Sequence, residues 1–70
     1  MAVYKVTVEL ESRDDSDDLG TGPFTEDVVV MADDAEGAGH MALRERLDFY
    51  TERDDVAYSG LIVSVKERVG

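Results

Sequence analysis

Hydrophobic and polar positions alternate along residues 2–11, AVYKVTVELE. Tyr4, Val6, Val8 and Leu10 fall on one side, and Lys5, Thr7, Glu9 and Glu11 on the other. A period of two with β-branched residues predicts a strand with one face buried. Residues 26–32, EDVVVMA, predict a second strand that is apolar on both faces. The pattern then changes. Asp33 followed three positions later by Glu36 is a capping-box spacing, and a helix is expected over about residues 34–52. Leu43, Leu47 and Tyr50 share one side of it, with Ala38, Ala42 and Phe49 beside them. Small Ala38, Gly39 and Ala42 would let its first turns lie close to a sheet. Residues 56–69 predict a third strand, with Leu61, Val63 and Val65 directed one way and Tyr58, Ile62, Ser64, Lys66 and Arg68 the other. Gly60 is placed to mark a bulge or bend.

The order β-β-α-β is that of a small α+β domain covering residues 1–70. If the first two strands form a hairpin, a right-handed crossover through the helix returns the third strand to the far side of the first. The expected sheet is therefore three-stranded and antiparallel, in order 2-1-3, with one helix on one face. Tyr4, Val6, Val8, Leu10, Val28, Val30, Ala42, Leu43, Leu47, Leu61, Val63 and Val65 make the expected core. The uncovered face would carry Val3, Val29, Met31, Tyr58 and Ile62 among Thr7, Ser64 and Lys66. Several apolar side chains on a face that no helix covers point to an interface. Either outer strand could also extend the sheet into a neighbour.

Size strengthens that expectation. A 70-residue chain buries only about 60 % of the surface its unfolded form exposes, so extra burial by association is a common staple. With no cysteine, disulfides and thiolate metal sites are excluded.

Charge changes the picture more. Seventeen acids face seven bases, for a net charge of −10. Repulsion of that size disfavours direct contact with nucleic acid or anionic membranes. Ten of the acids are Asp and only Lys5 and Lys66 are lysines, a composition found in proteins adapted to molar salt and in acidic proteins of GC-rich genomes. No apolar run approaches the 18 or so residues of a membrane helix. The first ten residues alternate instead of forming a signal peptide, so the expected location is the cytoplasm, or a virus particle for a virus-encoded chain.

The densest charge lies in residues 13–24, RDDSDDLGTGPF, an acidic loop between the first two strands. Taking Asp15 as the first position of a calcium loop puts Asp17 at three, Gly20 at six, Thr21 at seven and Glu26 at twelve. Leu19 then occupies position five, where a ligand is required, and Pro23 position nine, and the flanks read as strands. The loop is read as a solvated hairpin connection, and no metal or cofactor is expected. His40, the one histidine, sits on the polar edge of the helix without a serine in a nucleophile setting. Residues 20–23, GTGP, precede a strand, lack a lysine and are crowded by aspartates, so they are no phosphate loop. No enzyme is expected.

Two functions of different kinds fit these features. The first is a non-catalytic interaction module that self-associates through the open face or edge strands, as a small assembly component of a virus particle would. The second is an acidic decoy that imitates nucleic acid and occupies the groove of a basic protein. Its surface would be Asp14, Asp15, Asp17, Asp18, Asp54 and Asp55, with Glu9, Glu11 and Glu26.

Overall fold

The computed structural model describes residues 1–12 and 22–68. Four elements follow in order: β1 (Ala2–Ser12), β2 (Phe24–Ala32), α1 (Ala35–Asp54) and β3 (Tyr58–Glu67). The sheet order is β2-β1-β3, and β1 pairs antiparallel with both neighbours, as the β-β-α-β reading expects. β1 takes the centre because its alternation offers a continuous apolar row. Tyr4, Val6, Val8 and Leu10 are all buried under α1. With Val30, Ala32, Ala38 and Ala42 they form the core, against which Val28, Leu43, Leu47, Tyr50, Ile62 and Val65 pack part of their surface. Leu10, Val6 and Val8 are its largest fully buried side chains. A core of this make-up is thin, since each such side chain contributes about 1.5–3 kcal/mol on burial.

α1 is capped by Asp34, not Asp33. The Asp34 carboxylate accepts from the Gly37 backbone N–H at 2.7 Å. The shift by one residue places Gly37, not Glu36, three positions beyond the cap, so the reciprocal half of a capping box is missing; Glu36 still opposes the helix dipole from the first turn. Asp55 ends the helix in the left-handed region at φ 55°, and its N–H donates to the Thr51 carbonyl.

β2 begins at Phe24, so the last residue of the expected acidic loop belongs to the sheet. The larger correction concerns β3. Its pairing with β1 slips between Thr7 and Val8: Ser64 lies opposite Thr7 but Ile62 opposite Val8, which leaves Val63 as an extra, bulged residue. Tyr58, Gly60 and Ile62 therefore face α1, and after the bulge Val65 does so too. Leu61 and Val63 turn to the open face. Gly60 explains why this register holds. A Cβ there would lie 2.5 Å from Leu10 Cδ2, 2.8 Å from the Glu9 carbonyl oxygen and 2.9 Å from Leu43 Cδ1, so only glycine fits between β1 and the helix. The helix approaches closely at Gly39 as well, where a Cβ would meet Ile62 Cδ1 at 2.9 Å.

Candidate interaction surface

α1 covers one face of the sheet, and no element of the described residues covers the other. On the open face β1 contributes Val3, Lys5, Thr7, Glu9 and Glu11. Pairing places Met31, Val29, Asp27 and Thr25 of β2 beside the first four of these. On the other flank Lys66, Ser64, Leu61 and Ser59 lie opposite Lys5, Thr7, Glu9 and Glu11. The apolar groups gather at two diagonally opposed corners. One holds Val3, Val29 and Met31; the other holds Leu61 and Val63. Val29 and Met31 are each 56 % exposed, Leu61 54 % and Val63 52 %. Side chains this apolar and this open are what a partner would cover.

Val3, Val29 and Met31 thus sit where the alternation of β1 and β2 puts them. Tyr58 and Ile62, expected beside them, do not. The bulge and the close fit at Gly60 turn both to the helix side, where they pack against the core. Leu61 and Val63, expected in the core, take the open positions instead.

A polar band separates the two corners. The Thr7 hydroxyl donates to Asp27 Oδ1 at 2.7 Å, and Lys5 Nζ lies 3.5 Å from Asp27 Oδ2. The Thr7 hydrogen bond, followed by the charge of Lys5, holds the Asp27 carboxyl below its ordinary 3.8. Asp27 therefore stays ionised and matched inside its own chain.

A second cluster closes the end of the molecule where α1 finishes and β2 begins. Tyr50 stacks edge-on against Phe24 and Phe49, with centroids at 5.3 and 5.0 Å, and tilts against Tyr58 at 5.5 Å. The Arg53 guanidinium lies 4.7 Å over the Tyr50 ring, and that of Arg46 lies 4.8 Å over Phe49. Tyr50 donates its hydroxyl proton to Glu26, and Arg46 reaches the other Glu26 oxygen at 3.5 Å. Arg53 binds Asp54 at 2.8 Å, and Tyr58 donates to the same carboxylate. These two partners, Arg53 first, hold the Asp54 carboxyl below its ordinary value. The cluster pins the helix end to the hairpin. Sequence reasoning passed over it, although Arg46 and Arg53 stand three or four residues from both Phe49 and Tyr50, the spacing at which helical neighbours meet.

This cluster bears on the other sequence-derived candidates. Glu26, the twelfth position of the calcium alignment, spends its oxygens on Tyr50 and Arg46. Asp15, Asp17, Gly20 and Thr21 of that alignment lie outside the described residues. So do Asp14, Asp15, Asp17 and Asp18 of the acidic decoy surface. Asp54 of that surface is engaged with Arg53 and Tyr58, and Asp55 lies exposed at the helix terminus. His40 is exposed on α1. Among the described residues, no three His, Asp or Glu side chains gather as a metal site, and no helix is long and apolar enough to cross a membrane.

No protein-family model, curated protein or solved structure matches the chain.

Proposed function

We propose that this protein is a non-catalytic module that self-associates through the exposed parts of its sheet, the open face and the free strand edges. One observation carries the reading: Val29, Met31, Leu61 and Val63 are each more than half exposed on the face α1 leaves bare, in a chain whose own core is small. Association with a second copy, along that face or along an adjoining strand edge, supplies burial that a domain of this size lacks. The module would act by shape and strand pairing, as a small assembly component does, including one carried in a virus particle. The alternative of an acidic decoy for a basic protein draws less support from its described residues, because Glu26 and Asp54 already satisfy cations and hydroxyls of the chain itself.

Association of folded copies couples stability to protein concentration by mass action. The thermal midpoint should therefore rise by several degrees between about 5 and about 500 μM protein. A midpoint that stays constant over that range contradicts the proposal.

A further inference from the structure

Self-association, if that reading holds, still leaves open which part of the sheet meets the partner, and the two outer strands are not equivalent. β3 carries the bulge at Val63, a glycine at Gly60 and an outward lysine at Lys66, all devices that spoil pairing at an edge. β2 is regular. It pairs with β1 at nine successive positions without a shift, has no glycine or proline within it, and contains Val28, Val29, Val30 and Met31 in a row. A regular outer strand with an apolar second half is a template for another strand, and its two acids, Glu26 and Asp27, are paired within the chain.

One hydrogen bond fixes where its free backbone groups point. The Arg68 N–H donates to the Val3 carbonyl at 2.7 Å, so Val3 turns its backbone toward β3. In an antiparallel ladder successive residues of the middle strand turn to alternate sides. Lys5 and Thr7 therefore also address β3, whereas Tyr4, Val6 and Val8 address β2. Their partners on β2 are Val30, Val28 and Glu26, whose N–H and C=O groups turn inward. Thr25, Asp27, Val29 and Met31 are left with backbone donors and acceptors directed out past the edge.

We infer that β2 pairs antiparallel with β2 of a second copy about a two-fold axis at Val28, joining two sheets into one of six strands with both helices on the same face. In this register Asp27 lies opposite the partner's Val29, and Thr25 opposite the partner's Met31, so the outward groups bond to each other. Val28 meets its own counterpart. The charges suit an identical partner despite the net −10. Glu26 and Asp27, the acids of the strand, are matched by Arg46 and Lys5 within each copy, and neither faces its own counterpart. The helix also leaves room, since its close approaches at Gly39 and Leu43 are to β3, and Val28 stays half-buried.

The test pairs one substitution with a measurement on the unaltered chain. Val29→Pro deletes an outward N–H while sparing the β1 ladder, a place where an edge strand accepts proline. Light scattering should show Val29→Pro with its dimer weakened roughly tenfold or more. In the unaltered protein the amides of Asp27, Val29 and Met31 should exchange with solvent more slowly as concentration rises. This second readout decides the matter if Val29→Pro fails to fold. An oligomer that survives Val29→Pro, or amides whose exchange ignores concentration in an oligomeric protein, would overturn pairing through β2 while leaving self-association standing. An unaltered protein that is monomeric throughout overturns both.

Discussion

Ile62→Asp should unfold this protein or come close to it, whereas Leu61→Asp, one residue earlier, should leave it folded. The difference follows from the bulge at Val63, which turns Ile62 to the helix and Leu61 to the open face. Ile62 lies against the backbone of Gly39 and packs on the core, so a carboxylate there loses apolar burial and sits among hydrophobic side chains. The combined cost is about 3–5 kcal/mol. A domain of this length has a total stability of about 4–10 kcal/mol. The thermal midpoint should fall by about 12–40 °C, since each kcal/mol shifts a small domain by about 4–8 °C. Leu61→Asp exchanges one exposed side chain for another within the single chain and should change its stability by about 0.5 kcal/mol or less when melted at low, dissociating protein concentration. Circular dichroism melts of the two variants check this, and the opposite ranking would show the strand to be paired one residue out of register.

Leu10→Ala is expected to be nearly as damaging for a different reason. Leu10 is fully buried and is the largest such side chain in the core. Truncation loses its transfer free energy and leaves a cavity that a closely packed sheet cannot collapse, a cost of about 2–5 kcal/mol. Urea unfolding measures it as a lower midpoint at unchanged slope. The cavity would open next to Gly60, where a Cβ now meets Leu10 Cδ2. Gly60→Ala added to Leu10→Ala should therefore cost less than it does alone, although the Glu9 carbonyl still limits the space. Full additivity of the two changes would mean that Leu10 and Gly60 do not share this contact.

β1 and the sheet order are legible in the sequence because a ten-residue alternation and a β-β-α-β sequence of elements leave few ways to arrange a sheet. Val3 follows from that alternation, and Val29 and Met31 follow from the two-residue repeat of a strand once β2 pairs with β1. β3 is harder to read. Leu61, Val63 and Val65 look like one face, since period-two counting assumes no interruption, and a bulge is a property of two strands together. Gly60 was the available clue, because a glycine in a strand marks a close approach. Which neighbour approaches it, Leu10 with Leu43, depends on packing across the whole domain. The helix cap shows the same limit at smaller scale. Asp33 and Asp34 are both able to cap, and the direction in which β2 hands the chain to α1 selects the second. The ring-and-arginine cluster at the helix end was missed for another reason: Phe24, Glu26 and Tyr58 join it from two different strands, which no local pattern connects.

The proposed function requires copies of this chain to meet. Light scattering of the unaltered protein, at low salt and again in about 1 M potassium chloride, tests that directly. In molar salt the Debye length shrinks to about 3 Å and the repulsion between acidic surfaces is largely removed. The expected result is a folded species with a mass that is a multiple of the 7.7 kDa chain, present in both conditions or assembled as salt is added. A folded monomer of 7.7 kDa in both would contradict it.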